Sequence, residues 1–129
     1  MSIAGLDHLV LTVADLEQTI GFYVRAIGLE HVIFAEGRHA LMCGQQKINL
    51  HPASKPIQPH AEKPTPGSAD LCLLITGCLE ETIDRLHQEE VPVELGPVER
   101  TGSQGPLRSI YVRDPDGNLI ELAEPQPLK

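Results

Sequence analysis

The feature that most constrains this chain is that it states one pattern twice. Leu9, Leu11 and Val13 correspond at a constant offset to Leu71, Leu73 and Ile75, and Leu16-Glu17-Gln18-Thr19-Ile20 corresponds to Leu79-Glu80-Glu81-Thr82-Ile83. Ile48-Asn49-Leu50 corresponds to Ile120-Glu121-Leu122. In the first copy, alternation over residues 6–13 predicts a strand. Asp15 is then placed to cap a helix, with Gln18 at the capping-box position. Leu16, Ile20, Tyr23 and Ile27 recur at helical spacing, and Gly28 suits the stop. Strand-like runs follow over 30–36, 38–43 and 46–51, with Gly37 and Gly44 at the turns. The second copy repeats the order: a strand over 69–76, a helix marked by Leu79, Ile83 and Leu86 that ends by Pro92, then strands near 93–100, 107–113 and 118–124. Asp116-Gly117 is a hairpin turn signal. The reading is an α+β fold of two β-α-β-β-β modules, about 4–51 and 68–125, in one domain spanning 1–129. Pro52, Pro56, Pro59, Pro64 and Pro66 rule out a helix or central strand between them, so 52–67 reads as a linker.

Size and charge agree with this reading and exclude several partners. A chain of 129 residues fits one domain. Hydrophobic content of 41% permits a core, and with aromatics at 3% and no Trp that core is aliphatic. A formal charge of −8 argues against nucleic-acid and anionic-membrane surfaces, which need clustered Lys and Arg. No run of about 18 apolar residues is present to span a bilayer. The first residues lack a basic stretch followed by an apolar one, so a cytoplasmic protein is expected. Cys43, Cys72 and Cys78 show no CxxC spacing and read as reduced thiols, mostly buried.

Alternate strand residues point to opposite faces. Leu9, Leu11 and Val13 share a face that a helix can cover, and His8, Val10 and Thr12 share the other. By the same alternation Asp70 and Cys72 oppose Leu71 and Leu73, Asn49 and His51 oppose Ile48 and Leu50, and Glu121 opposes Ile120 and Leu122. His8 is equivalent to Asp70 under the duplication, and Asn49 to Glu121. An imidazole, two carboxylates and a further N or O donor suit a divalent cation, and enclosed carboxylates call for a counter-charge. The competing reading is an ordinary amphipathic sheet with its polar face in water.

Leu6-Asp7-His8-Leu9-Val10-Leu11-Thr12-Val13, then Asp15-Leu16 and Gly21-Phe22-Tyr23, resembles the opening of vicinal oxygen chelate proteins, the glyoxalase/bleomycin resistance/extradiol dioxygenase group. Asp114-Pro115-Asp116-Gly117-Asn118-Leu119-Ile120-Glu121 resembles their closing motif, which ends in a metal-ligand Glu. Gln46-Lys47-Ile48-Asn49-Leu50-His51 and Pro66-Gly67-Ser68-Ala69-Asp70-Leu71-Cys72 resemble a glyoxalase domain-containing subgroup. The resemblance spans essentially the whole chain. It implies that the two modules form a cupped mixed sheet, that His8 and Glu121 are metal ligands, and that the protein is a homodimer. The family's second His falls at Asp70 and its first-module Glu at Asn49, a poor ligand that His51 would replace if the strand bulges. The full glyoxalase I ligand set is therefore absent.

The expected function is a divalent-metal-dependent enzyme acting on a small molecule that chelates through two oxygens, of lyase or isomerase type. Glu121 or Asp70 would serve as base. Mn, Ni, Zn, Fe and Mg are all compatible with such mixed ligation. A ring-cleaving dioxygenase with His8, His51 and Glu121 on iron is one alternative, and a non-catalytic binding or resistance protein is the other. Asn49, Cys72, Arg100 and Arg108 are candidate substrate contacts, the two arginines on a loop over 100–108 where they could hold an anionic group. For Cys72 and for that loop, an inert thiol and a plain surface loop are the competing readings. His31, His39, His60 and His87 are expected to face solvent.

Overall fold

The computed structural model describes residues 1–128. The chain divides into two compact units, Met1–Gly67 and a second that begins at Ser68. In the first, strand β1 (His8–Val13) leads into helix α1 (Leu16–Phe22) and a π-type turn over Tyr23–Ile27. Strands β2 (Glu30–Phe34), β3 (Arg38–Cys43) and β4 (Gln46–Pro52) follow. The sheet order is β1-β4-β3-β2, with β1 parallel to β4 and the other pairs antiparallel. The second unit has the same plan. Strand β5 (Asp70–Leu74), helix α2 (Leu79–Gln88), β6 (Leu95–Thr101), β7 (Pro106–Arg113) and β8 (Leu119–Pro125) give the order β5-β8-β7-β6, again with only the first pair parallel. The repeat seen in the sequence is thus a repeat of topology.

Local chemistry sets the boundaries. Asp15 is extended, and its carboxylate accepts from the Gln18 backbone N–H at 3.0 Å, which starts α1. The stop falls on Gly28, whose φ of 87° is open to glycine at little cost. Helix α2 begins differently. Cys78 gives no side-chain cap, and Glu124 on β8 instead accepts from the Leu79 N–H at 3.1 Å. Strand β6 is interrupted between Leu95 and Val98, where Gly96 lies so close to β7 that a Cβ would come within 2.5 Å of the Ser109 carbonyl oxygen.

Each sheet buries the face that the alternation marked as apolar. In the first unit Leu11, Val13, Leu41, Ile48 and Leu50 are all 3% exposed or less, as are Tyr23 and Ala26 from the turn after α1. In the second, Ile110, Val112, Ile120 and Leu122 are buried together with Leu79 and Leu86 of α2. The 52–67 stretch forms no helix, and beyond Pro52 no strand, as its prolines require. Its start is tied to the first unit by Ala53 N–H donating to the Val13 carbonyl at 2.9 Å. Among the described residues no helix is long and apolar enough to cross a membrane.

Candidate functional site

Cross-strand register fixes which polar residues are neighbours. On the helix-free face of the first sheet His8 is level with Lys47, Val10 with Asn49, and Thr12 with His51. His8 is partly exposed, and its Nδ1 lies 2.8 Å from the carboxylate of Asp7. A carboxylate at Nδ1 fixes the tautomer with the proton there and leaves the Nε2 lone pair available, the arrangement common in metal-binding histidines. Asn49 is 5% exposed, and its side-chain carbonyl oxygen is buried without a hydrogen-bond partner.

His51 does not complete this corner. It stands four residues along β4 from the level of His8, roughly 13 Å at strand rise, whereas Asn49 stands only two away. No bulge in the β1–β4 ladder brings it closer. Its Nε2 is within 3.2 Å of Arg38 Nη2, so the ring nitrogen accepts from the guanidinium. Burial, then Arg38, then His60 push the His51 pKa below its ordinary value, and the ring is neutral near pH 7.

In the second unit Cys72, Glu121 and Tyr111 stand level across β5, β8 and β7. Asp70 is level with Leu119 and thus diagonal to Glu121, the same offset that relates His8 to Asn49. Cys72 and Glu121 line a cleft of about 380 Å³ whose wall is Arg100 and the turn from Thr101 to Pro106. The Cys72 thiol donates to Glu121. Desolvation, and then the Glu121 charge and hydrogen bond, push its pKa up to about 11. Arg100 lies over the Tyr111 ring and donates from Nε to the phenol oxygen at 2.8 Å. Among the described residues no three His, Cys, Asp or Glu side chains group closely enough to hold a metal ion by themselves.

The family profile of the Glyoxalase/Bleomycin resistance protein/Dioxygenase superfamily matches residues 5–122. The chain belongs to this superfamily. It is 48% identical to the Virulence protein STM3117 of Salmonella typhimurium, over 96% of this chain and 86% of that one. The crystal structure of that protein superposes with a TM-score of 0.93, covering 96% of this chain and 98% of that one. A Glyoxalase domain-containing protein, RDO1 of Mycosarcoma maydis, is 49% identical over 100% of this chain and 73% of its own length. A Bleomycin resistance protein of Geobacillus stearothermophilus is 32% identical, over 87% and 90% of the two chains.

Glu121 lies on the face opposite the buried Ile120 and Leu122 and lines the cleft. Several other expectations need correction. Arg108 sits in β7, not on a loop, and is level with Glu124 on the face that carries α2. There it bonds Glu80 and pairs with Glu124 at 3.7 Å, tying the helix to the sheet and leaving it no part in the cleft. His31 and His39 are not solvent-facing but half-buried, with Nε2 of one 2.8 Å from Nδ1 of the other. Cys72 is exposed. The reading missed Asp7, although its adjacency to His8 was in view. It also missed Arg38, which alternation from Ala40, level with Asn49, would have put on the site face.

Proposed function

We propose that the protein is a divalent-metal-dependent enzyme of lyase or isomerase type acting on a small molecule that chelates through two oxygens. The observation that carries this reading is Glu121. By resemblance it corresponds to the ligand position of the superfamily's closing motif, and it lines an open cleft large enough for a small substrate. The donor chemistry fits a divalent cation: a carboxylate-braced imidazole at His8, the Glu121 carboxylate, Asp70 diagonal to it, and the unpartnered carbonyl oxygen of Asn49. His8 and Glu121 are the proposed ligands, with Asp70 and Asn49 at the remaining protein positions. When bound, the ion supplies Lewis acidity toward the substrate oxygens. Mn, Ni, Zn, Fe and Mg all suit such a set.

The chain's own groups would do the rest. Glu121 or Asp70 takes a proton from the carbon beside the chelating oxygens. The Cys72 thiol, protonated at neutral pH, donates to Glu121 and holds its carboxylate in place. Arg100 steadies the Tyr111 ring beside it. His51, accepting from Arg38 and far along the strand from His8, does not supply a second imidazole, so the lyase or isomerase reading ranks above an iron dioxygenase. A purely sequestering protein needs broad aromatic stacking surfaces. Here Tyr23 is fully buried and Phe22 packs edge-on against it.

Calorimetric titration of chelator-stripped protein at pH 7.5 with Mn, Ni and Zn tests the proposal. His8→Ala and Glu121→Gln should each weaken binding at least about tenfold, the scale at which even groups around the ligands matter. An intact protein that binds none of these ions returns the site to a binding-only role.

A further inference from the structure

We propose that the helix-free face of the first sheet holds a second binding site, for a small oxyanion (a carboxylate or a phosphate), built from Arg38 and Lys47 around Phe34. Four observations converge there. The Arg38 guanidinium carbon lies 5.1 Å, and Lys47 Nζ 3.4 Å, from the centroid of the same Phe34 ring. Two like charges drawn to one ring repel each other, and the ring's quadrupole offsets this only in part. Among the described residues neither cation has a carboxylate partner, in a chain of net charge −8, whereas in the second unit Arg108 is held by two carboxylates and Arg113 by one. Arg38 Nε is buried and has no hydrogen-bond acceptor. Finally, the guanidinium is fixed in orientation: Nη2 donates to His51, itself 5% exposed and short of solvent.

A guanidinium pinned on one side, with an unused N–H and a second cation nearby, is complementary to a group with two or three charged oxygens. The oxyanion would accept from the guanidinium, neutralise the like-charge pair and leave Phe34 to meet the apolar body that carries it. Two cations in an acidic chain are too few for a polyanion, so the ligand is a small molecule. Lys47 stands level with His8, so a molecule chelated beside His8 could extend its anionic end along β4 toward Arg38. That last step, which makes the oxyanion part of the substrate, rests on the metal reading above. The oxyanion site itself does not.

The test uses full-length, chelator-stripped protein, so that failure of the metal site leaves it unaffected. The Arg38 Nε–H resonance is followed by heteronuclear NMR during titration with inorganic phosphate and, separately, benzoate, against chloride at matched ionic strength. A saturable shift with either anion is expected. Tighter phosphate binding assigns a phosphoryl group, and tighter benzoate binding a carboxylate on an apolar body. Arg38→Lys, which keeps charge but loses the fork, and Lys47→Gln should each raise the dissociation constant at least about fivefold, with urea midpoints confirming the fold. Lys55→Gln removes an exposed charge elsewhere in the unit and should change nothing. A linear response to both anions, or an equal loss in Lys55→Gln, overturns the site and leaves Arg38 and Lys47 as packing around Phe34.

Discussion

Two side chains show how far environment decides chemistry. Cys72 is exposed, yet its pKa is pushed up to about 11 by desolvation and by Glu121. Accessibility alone would make it reactive, but the thiolate is the nucleophile. Alkylation by iodoacetamide at pH 8 should therefore run roughly a hundredfold slower than for a free thiol. Glu121→Gln removes the charge that opposes thiolate formation and should speed the reaction. An unchanged rate would mean that Glu121 does not act on the thiol. His51 carries a pH signature. Its folded pKa is depressed by burial first, then Arg38 and His60, so the native state binds fewer protons than the unfolded one. Stability is then fully present above the unfolded value of about 6.5 and is lost as pH falls below it toward the folded pKa. His51→Gln, which keeps an acceptor for Arg38, should shrink the fall in urea midpoint between pH 7.5 and 5.5. A variant with the same fall assigns the acid sensitivity to other groups.

At the scale of elements, the start of α2 is held by the distant Glu124, whereas the start of α1 and the stop at Gly28 were the most legible features because they depend on a few adjacent residues. The Asp15 cap is one such case, and Asp15→Ala should cost about 1 kcal/mol in denaturant unfolding by removing the bond to Gln18. A loss below a few tenths would show that α1 is held by packing alone. The alternation of Leu9, Leu11 and Val13 likewise gave the buried face correctly, since face follows from a period of two. It could not give the level along the strand. His51 and Asn49 share a face, and only the pairing of β1 with β4, set by residues some forty positions apart in the chain, shows that Asn49 is the one close to His8. Arg108 failed for the related reason that its partners, Glu80 and Glu124, are distant in sequence. The π-type turn over Tyr23–Ile27 has no signal distinct from helical spacing.

For the molecule as a whole, the repeat was legible because both copies keep their order of elements, and the superfamily followed from motifs at the two ends of the chain. Composition set limits without choosing a reaction, since one fold serves many. Each unit buries a small core, and Val10, Leu74 and Leu95 on the helix-free faces are 44%, 62% and 47% exposed. Small cores and exposed apolar side chains favour association, so a homodimer is expected at micromolar concentration by sedimentation velocity. A monomer there would count against it.

The strand order carries a consequence for synthesis. In each sheet the strand made last is bonded to both the first and the third, so β1 and α1 emerge from the ribosome with no partner until β4 follows. The first half of the protein must wait, open, for residues 46–52 to emerge, and then can close while the strands after residue 68 are still inside the ribosome or unmade. Protease resistance of stalled nascent chains should therefore appear in one step once β4 has cleared the exit tunnel, and the prolines after it give the growing chain a stretch that cannot pair wrongly while that closure takes place.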